Sequence, residues 1–372
     1  MIKSKKLAVV GFSGLSGATQ VGLNFAGGVD IPKEDTIFIF YGKTESVNSG
    51  YIDELNSFGI NHHFAKKTRP KIDLPAEFQV FRFLQRHKPK NVLLASSAPI
   101  FGILAYKLLN FFRSNIITIE QHPLNLTSIK EYLHSYIGFA FFEYVVPASQ
   151  AYAEGFSQKM SPLSKIFARK LVVVPNGLNI PARTTSAETL ANKQTIKLGM
   201  AARFDDCKDF ETVLRATAKL NASGSIKYIF EIAGDGPNRA KIEKLVDELQ
   251  LRPYVAFHGL LSKTSMKAFY QNVDIYIQST TGEAMSISML EAMGYGLIFL
   301  GTRVRGVQEF IIPKKNGLLF ECGNADDLVD KIESIVSNPA LAKALAAGAR
   351  THYENNFSLS NMVNGYSKLL KI

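Results

Sequence analysis

The chain has 372 residues, of which 46% are hydrophobic and 20% are charged, and its formal net charge is +11. This length exceeds that of one ordinary hydrophobic core, so we expect two domains, and the composition excludes an intrinsically disordered protein. No apolar run approaches the ~20 residues of a membrane-spanning helix. The two cysteines, Cys207 and Cys322, provide neither a disulfide framework nor zinc-site spacing. So few cysteines are typical of a protein in the reducing cytoplasm.

Strands alternate with helices through the first half of the chain. The predicted strands cover residues 6–12, 36–40, 91–95, 116–119, 144–147 and 171–174. The predicted helices cover residues 18–26, 51–58, 78–87, 99–112 and 128–142. This alternation is typical of a parallel sheet whose strands are joined by right-handed crossover helices.

A polar linker at residues 182–195 leads to a second half with the same alternation. The strands predicted there cover residues 197–201, 228–233, 255–258, 274–278, 297–300 and 318–320. The helices predicted there cover residues 209–221, 239–249, 264–271, 286–293, 325–336 and 358–370.

The fold class that this pattern predicts is α/β, with two doubly wound, Rossmann-like domains that face a central cleft. The N-terminal domain is expected at residues 1–185, completed by a C-terminal helix within residues 357–372. The C-terminal domain is expected at residues 186–356. Ligands should bind at the carboxyl ends of the strands.

Two carboxylates, Glu283 and Glu291, lie between two apolar strands of the second half, with seven residues between them. Ser286 is a plausible N-cap for the helix that carries Glu291. Glu283 lies in the loop just before that helix, so both carboxylates can flank a ligand at the helix N-terminus. Free N–H groups there favour an anion, so the pattern predicts a phosphate-bearing ligand with hydroxyl groups.

Two cations follow the first strand of the second half. Arg203 and Lys208 lie on a loop that enters a helix, where a guanidinium and an ammonium can bind a diphosphate. Taken alone, this pair could be an ordinary surface Arg and Lys. Together with the glycine-rich run 234–237 after the next strand and the two glutamates, it favours a nucleotide site.

These residues resemble the motifs of retaining glycosyltransferases with the GT-B fold, in the large family four (glycosyl transferases group 1). The motifs are Ala202-Arg203 with Lys208, the AGDGP run at 233–237, the E-x7-E pair and Leu290-Glu-Ala-Met293. Weaker matches in the first half are Ser16-Gly17-Ala18, which resembles the Gly-Gly-Ala loop of the family, and the run 173–177.

The resemblance implies a role for each matching residue. Arg203 and Lys208 would bind the donor diphosphate and stabilise the leaving charge, while Glu291 would accept hydrogen bonds from the ribose hydroxyls. Glu283 would contact the donor sugar, and His122 matches a histidine that faces this sugar. The implied catalytic residues are Glu283, His122, Arg203 and Lys208, and the implied donor-binding residues are Gly17, Arg203, Lys208, Gly234, Met285, Ser286, Ile287 and Glu291.

The resemblance also implies the reaction, which is transfer of a sugar from a nucleotide-diphosphate sugar to an acceptor hydroxyl with retention of configuration. No D-x-D sequence occurs in the chain. We therefore expect neither a metal nor another cofactor, with the two cations in the place of a metal. Ala284 and Met285 stand where the family has a glycine and an aromatic residue, and Thr19 stands where it often has an acid, so these departures affect the expected donor sugar.

The positive charge is concentrated in the first half of the chain. Residues 1–185 contain 21 Lys and Arg against 12 Asp and Glu, whereas the remainder contains 22 against 20. Aromatic residues lie among the cations between residues 66 and 113. This pattern is consistent with an ordinary solvated face or with an anionic membrane surface, and no nucleic-acid-binding module is recognisable. We expect a sugar or lipid-linked glycan acceptor. We also expect a cytoplasmic protein, either free or peripheral on the cytoplasmic face of the inner membrane.

Other functions compete with this interpretation. Gly11, Gly14 and Gly17 follow the first strand, as in an NAD(P)-dependent oxidoreductase, but this pattern alone is weak and the second strand ends without an acidic residue. A nucleotide-sugar epimerase or a phosphorylase could share the fold, although no lysine is marked as a pyridoxal phosphate site. A catalytically silent binding module is disfavoured by the presence of both glutamates and both cations.

Overall fold

The structure is a computed structural model. It describes residues 6–14, 16–43, 47–69, 72–95, 99–120, 136–159, 168–182, 190–223, 226–283 and 285–372. The chain forms two compact units: unit 1 comprises Met1–Gly177 and Leu359–Ile372, and unit 2 comprises Leu178–Ser358. The boundary therefore lies at 177/178, whereas the sequence predicted 185/186.

Unit 1 contains a parallel sheet that has six strands in the described ranges. They are β1 (Leu7–Phe12), β2 (Thr36–Gly42), β3 (Asn61–Lys66), β4 (Asn91–Ala95), β5 (Asn115–Glu120) and β6 (Tyr144–Pro147). Their order is β3-β2-β1-β4-β5-β6, which is the order of a doubly wound dinucleotide-binding domain. The order reverses between β1 and β4.

Two details of unit 1 differ from the sequence prediction. The edge strand β3 was not predicted, because its sequence Asn-His-His-Phe-Ala-Lys is too polar to look like a strand. Residues 171–174 were predicted as a strand but do not form a regular one; they lie beside β6 with a parallel bridge between Leu171 and Val145, and the Val172 and Val174 N–H groups donate to the carbonyls of Val145 and Pro147 at 3.2 and 3.1 Å.

Helices connect the strands of unit 1. They are α1 (Gly17–Gly28), α2 (Ser49–Phe58), α3 (Leu74–His87), α4 (Ile100–Leu109) and α5 (Gln150–Lys159). The prediction of a helix at 99–112 is wrong at its end, because Phe111 and Phe112 have left-handed backbone angles. Helix α5 was not predicted, and most of the predicted helix 128–142 lies outside the described residues, although 136–141 are helical.

Unit 2 repeats the architecture. Its strands in the described ranges are β7 (Thr195–Ala201), β8 (Lys227–Ala233), β9 (Val255–Gly259), β10 (Ile275–Gln278), β11 (Ile298–Thr302) and β12 (Leu318–Phe320). Their order is β12-β11-β10-β7-β8-β9. Counted from its own first strand, this is the same order as in unit 1. The predicted α/β class with two Rossmann-like domains is thus confirmed.

The remaining helices follow in chain order. They are α6 (Phe210–Ser223), α7 (Arg239–Glu248), α8 (Lys263–Asn272), α9 (Ile287–Gly294), α10 (Ala325–Val336), α11 (Pro339–Asn356) and α12 (Leu359–Leu370). The 18-residue helix α11 was not predicted, although Asn338 caps it and Pro339 begins it. The last helix belongs to unit 1, where Tyr366 contacts Phe25 of α1 edge to face at 5.6 Å.

Each unit has its own hydrophobic core between its sheet and its helices. Val10, Ile39 and Leu94 of unit 1 are fully buried with Val80 and Ile103 of the covering helices. In unit 2 the corresponding layer is formed by the sheet and by helices such as α6 and α10. Among the described helices, none combines the length and the hydropathy that crossing a membrane requires.

Asp73 fixes the basic segment before α3. Its buried carboxylate caps the helix by accepting from the Ala76 N–H at 3.2 Å, and it also accepts from the N–H groups of Thr68 and Arg69 at 2.6 and 2.8 Å. Burial acts to raise the pKa of Asp73, but these backbone N–H donors lower it to about 2. The ionised form therefore stabilises the folded state.

We expect the isosteric substitution Asp73→Asn to lower the free energy of unfolding of unit 1 by at least about 2 kcal/mol at neutral pH, because it places an amide donor against backbone donors. The stability supplied by the depressed pKa is present above the ordinary value of 3.8 and is lost as the pH falls toward 2. Urea denaturation followed by circular dichroism at several pH values checks this. The control is Asp53→Asn on the exposed face of α2, and equal stability of the two variants would contradict the role of Asp73.

Candidate functional site

Two chain segments meet at the point where the strand order of unit 2 reverses. Residues 202–209 follow β7 and residues 279–286 follow β10, and these strands are parallel neighbours. The Thr280 hydroxyl and the Thr281 N–H both donate to the carbonyl oxygen of Cys207, at 2.7 and 2.9 Å. The segments are therefore fixed side by side at the carboxyl edge of the sheet, where open α/β sheets bind their ligands.

Lys208 and Glu283 form an ion pair between these two segments. Only 12% and 13% of their side chains are exposed. The side-chain amide of Gln278 donates to the same carboxylate oxygen of Glu283 at 3.4 Å. Two residues that the sequence assigned to the phosphate and to the sugar are thus in direct contact, and each neutralises the partly buried charge of the other.

Arg203 lies on the same loop as Lys208 but has a different environment. Its side chain is exposed and forms no ion pair with any residue in the ranges that the structure describes. The loop is fixed by its backbone, since the Phe204 N–H donates to the Asp235 carbonyl at 3.0 Å. Arg203 is therefore a cation at the switch point that is available to an anionic ligand.

Gly234 is required by the packing of this loop against the next one. Its φ of +130° is strained for other residues, and a Cβ atom there would lie 1.9 Å from the carbonyl oxygen of Ala202. Only a glycine lets the segment after β8 contact the segment that carries Arg203. The structure gives Gly234 this packing role beside the donor-binding role that the resemblance implies.

Helix α9 begins and ends with defined caps. The Ser286 hydroxyl accepts from the Met289 N–H at 3.4 Å, as its predicted N-cap role requires. At the other end Gly296 has a φ of +68°, and the Leu297 N–H donates to the Ala292 carbonyl at 3.0 Å, which is a Schellman motif. The helix therefore keeps a fixed N-terminus beside the segment that carries Glu283, with Ile287 as its first residue and the buried Met285 before it.

Glu291 lies in the second turn of α9. The phenol of Tyr270, which is itself buried, donates to its carboxylate at 2.8 Å. Burial raises the pKa of Glu291 above its ordinary value of 4.5, although Tyr270 and the ammonium of Lys263 act in the opposite direction. The folded state therefore destabilises the charged form of this carboxylate, as is common where a group serves a ligand rather than stability.

The charges of Glu283 and Glu291 both affect the pKa of Tyr276. Tyr276 is a buried residue of β10 whose hydroxyl donates to the Ala201 carbonyl at 3.2 Å. Burial raises the pKa of Tyr276, its hydrogen bonds with Ser288 and Ala201 lower it, and the charges of both glutamates raise it. Both carboxylates of the E-x7-E motif therefore act electrostatically on the same buried residue of the sheet.

In unit 1, Gly17 is the first residue of α1 and follows its N-cap Ser16. The departure at Thr19 has a structural function, because its hydroxyl accepts from the Phe12 N–H at 2.9 Å and donates to the Phe12 carbonyl at 3.2 Å. His122 and Ala284 lie outside the described residues, so their predicted roles remain predictions.

Sequence reasoning missed three residues that position the candidate site. Tyr270 contacts Glu291, Gln278 contacts Glu283, and Thr280 joins the two loops. Gln278 and Thr280 could have been found as polar residues at the end of an apolar strand. Tyr270 gives no such signal, because its contact depends on how α8 packs against α9.

No group of three or more His, Cys, Asp or Glu side chains with the geometry of a metal site occurs among the residues that the structure describes.

The chain as a whole is similar to known glycosyltransferase structures. Its fold matches the crystal structure of Anabaena Alr3699/HepE in complex with UDP and glucose with a TM-score of 0.82, at 15% identity over 99% of both chains. The lipopolysaccharide outer core galactosyltransferase WaaB in its apo form matches with a TM-score of 0.74, at 17% identity, over 98% of this chain and 99% of that one. This likeness shows the fold, which is the GT-B fold that the motifs predicted.

Residues 182–352 match the model of the family described as glycosyl transferases group 1. This match is to the family whose motifs the sequence resembles. The lipopolysaccharide core biosynthesis glycosyltransferase LpsE of Rhizobium meliloti (strain 1021) is 30% identical over 168 residues, or 45% of this chain and 47% of that protein. The chain spans about half the length of the curated relatives it matches first.

We expect Glu291→Gln to stabilise unit 2 at neutral pH, because the amide removes a buried charge and still accepts from Tyr270. A raised carboxyl pKa destabilises the folded state above that pKa and has no effect well below 4.5. The stability difference between variant and parent should therefore appear as the pH rises through 4.5 and stay constant above the raised pKa. Thermal unfolding at a series of pH values measures it, with the exposed Glu333→Gln of α10 as the control. A variant less stable than the parent at neutral pH would contradict this account.

Proposed function

We propose that the protein is a glycosyltransferase that moves a sugar from a nucleotide-diphosphate sugar, with a UDP-sugar favoured, to an acceptor hydroxyl. The observation that supports this most directly is the meeting of Lys208 and Glu283 at the switch point of unit 2, beside the N-terminus of α9. An ammonium, a free guanidinium and a helix N-terminus suit a diphosphate, and two carboxylates suit the hydroxyls of a ribose and of a sugar. The match of residues 182–352 to the model of glycosyl transferases group 1 also supports the proposal.

The proposed roles of the site residues follow from their environments. Arg203 is exposed and binds the diphosphate as a bidentate donor, while Lys208 is oriented by Glu283 and adds a second positive charge. Glu283 contacts the sugar, and Glu291 accepts hydrogen bonds from the ribose. The N–H groups of Met285, Ser286 and Ile287 contact the phosphates. Gly17 and His122 keep the donor-binding and catalytic roles that the family resemblance implies.

These groups can support sugar transfer with retention of the anomeric configuration and without a metal ion. When the bond between sugar and diphosphate breaks, negative charge develops on the phosphate and positive charge on the sugar. Arg203, Lys208 and the helix N–H groups stabilise the first charge, and the carboxylate of Glu283 lies near the second. The acceptor hydroxyl attacks from the face that the diphosphate leaves, and the departing phosphate takes its proton.

The acceptor is proposed to be a glycan, free or linked to a lipid, in the synthesis of a cell-surface polysaccharide or glycolipid. The similarity to proteins named for lipopolysaccharide core and colanic acid biosynthesis supports this class. The excess of basic residues in the first half of the chain supports a location at the cytoplasmic face of an anionic membrane. Unit 1 is proposed as the acceptor-binding domain and unit 2 as the donor-binding domain.

A dehydrogenase is disfavoured by the end of β2. The strand ends Tyr41-Gly42, so it does not end in the carboxylate that binds the adenosine ribose of NAD. In addition, Gly11 is required by packing, because a Cβ atom there would lie 2.9 Å from the Thr19 methyl group. The first glycine of the pattern therefore has an explanation that involves no dinucleotide.

Calorimetry with a panel of UDP-, GDP- and ADP-sugars tests the donor. We expect UDP-sugars to bind most tightly, and we expect Glu291→Gln to weaken them by at least about tenfold through loss of a charged acceptor. Release of UDP should accelerate when a glycolipid extract is added, and EDTA should not slow it. The sugar in the transfer product should keep the anomeric configuration that it has in the donor. A product that stays linked to the nucleotide would show an epimerase, and inversion or EDTA sensitivity would contradict the proposed mechanism.

A double-mutant cycle separates the catalytic role of the ion pair from its structural role. Lys208→Met and Glu283→Gln should each lower stability by about 3 kcal/mol, because each leaves a partly buried partner unpaired. The double variant should recover most of that stability. Transfer should fall at least about a hundredfold in all three variants, because the donor loses groups that stabilise the transition state.

The control is the exposed pair Lys219–Asp326, whose side chains are 49% and 76% exposed. Lys219→Met with Asp326→Asn should change neither stability nor transfer appreciably. Recovery of transfer together with stability in the Lys208/Glu283 double variant would show that the pair is structural only.

A further inference from the structure

Two consecutive phenylalanines form the turn between α4 and β5 in an unusual conformation. Phe111 and Phe112 have φ angles of +51° and +60°, in the left-handed region that costs free energy for any residue with a Cβ atom. Their side chains are 82% and 55% exposed. A strained backbone that presents two aromatic rings to solvent needs an explanation of what holds it in place and of what function the exposed rings serve.

The structural cause is an ion pair beneath the turn, in which the lysine is buried and the glutamate is partly exposed. The ammonium of Lys107 is almost fully buried, donates to the Ser114 carbonyl and pairs with Glu143. Glu143 in turn accepts from the Ile116 N–H at 2.7 Å. The same ammonium lies 5.8 Å from the centre of the Phe112 ring. This network over-determines the turn, which is the condition under which backbone strain persists.

The backbone of the turn is hydrogen-bonded as well. The Phe111 N–H donates to the Leu108 carbonyl, and the Phe112 N–H donates to the Lys107 carbonyl, both at 3.1 Å. The backbone from which the two side chains project is therefore fixed.

Further apolar and basic side chains surround these rings. Leu108 and Leu109 at the end of α4 are exposed. The segment 88–90, which follows α3, lies beside the turn, because the Tyr106 hydroxyl donates to the Pro89 carbonyl at 2.9 Å and the Asn115 N–H to the Lys90 carbonyl at 2.8 Å. We define the Phe-turn surface by its exposed residues, which are Leu108, Leu109, Phe111, Phe112, Lys88, Lys90 and Arg113.

We propose that the Phe-turn surface docks on an anionic membrane, with the two phenylalanine rings and the two leucines in the interfacial region and the three cations at the lipid headgroups. Aromatic and leucine side chains favour this region, and basic residues beside it are attracted by anionic lipid. A second copy of the chain fits less well, because a two-fold contact would place these three cations against their own symmetry mates. The proposal rests on the proposed function only in its choice of a lipid-linked acceptor.

The position of this surface restricts the acceptor. The turn lies where β5 begins, at the amino edge of the sheet, whereas the loop with Gly17 follows the carboxyl end of β1. Helix α4 joins the two edges, and its ten residues span about 15 Å. A membrane bound at the Phe-turn surface is therefore separated from the ligand-binding edge of unit 1 by about the length of this helix when the helix lies along the membrane normal. The acceptor is thus inferred to be a lipid that carries several sugars, so that its reacting end reaches that edge.

The test is co-sedimentation of the full chain with vesicles of equal parts phosphatidylglycerol and phosphatidylcholine. We expect Phe111→Gly with Phe112→Gly to reduce vesicle binding at least tenfold. Thermal stability should not fall, because glycine adopts both positive φ angles without steric strain. Lys88→Gln with Lys90→Gln and Arg113→Gln should reduce binding to these vesicles similarly, and binding of the parent should weaken in high salt. Vesicles of phosphatidylcholine alone should bind weakly.

The matched control is Phe78→Gly with Leu74→Gly, which removes two exposed apolar side chains at the start of α3. This variant should remain folded by circular dichroism and should bind the vesicles as the parent does. A parent that does not bind the vesicles, or Phe-turn variants that bind as the parent does, would overturn the proposal. A parent that self-associates through these residues in sedimentation velocity would also overturn it in favour of a second copy.

The outcomes for the surface and for the enzyme are distinguishable. Slow donor hydrolysis in the absence of vesicles reports on the proposed function, and it should be equal in the parent and the glycine variants. Vesicle binding without any turnover would contradict the enzyme and leave the surface in place. Faster transfer to a short lipid-linked monosaccharide than to a lipid-linked oligosaccharide would contradict the inferred length of the acceptor.

Discussion

The ion pair between Lys208 and Glu283 is the interaction on which the candidate site depends. The two residues are 75 positions apart in the chain, and they meet because β7 and β10 are neighbours at the reversal of strand order. Loop hydrogen bonds at Cys207 fix the backbones, and the ion pair fixes the side chains. Since neither charge can be removed without cost to the other, the arrangement is defined before any ligand binds. Such preorganisation is what electrostatic stabilisation of a transition state requires.

Much of the fold could be predicted from the sequence because most strands are short apolar runs and most helices have recognisable ends. The strands β4, β6 and β12 and the helix α10 have the predicted bounds. The errors have physical causes. Phe111 and Phe112 continue the apolar character of α4, but buried Lys107 pairs with Glu143 and turns the chain away from the helix. Such a contact between distant residues leaves no local pattern in the sequence.

In the candidate site, too, residues in a local sequence pattern were predicted and residues placed by contacts between distant elements were not. The residues that carry charge, Lys208, Glu283 and Glu291, were found because their spacing follows strand ends and a helix start. Their partners were not found, since Tyr270 contacts Glu291 only through the packing of α8 beside α9. Gly234 was chosen for a ligand, yet its conformation is already required by the carbonyl of Ala202. A glycine in a motif can therefore record the contact of two loops as well as the contact of a loop with a phosphate.

The strand order 3-2-1-4-5-6 occurs twice in this chain, once in each unit, and each sheet has a separate core. Each unit therefore has a switch point of its own, built from loops whose sequences do not contribute to the other core. Under the proposed function, heritable change in the loops of unit 1 can alter the acceptor while the donor loops stay as they are. The duplicated sheet thus makes the choice of the two substrates separable in evolution, and a lineage of such enzymes can extend many different glycans from one kind of activated sugar.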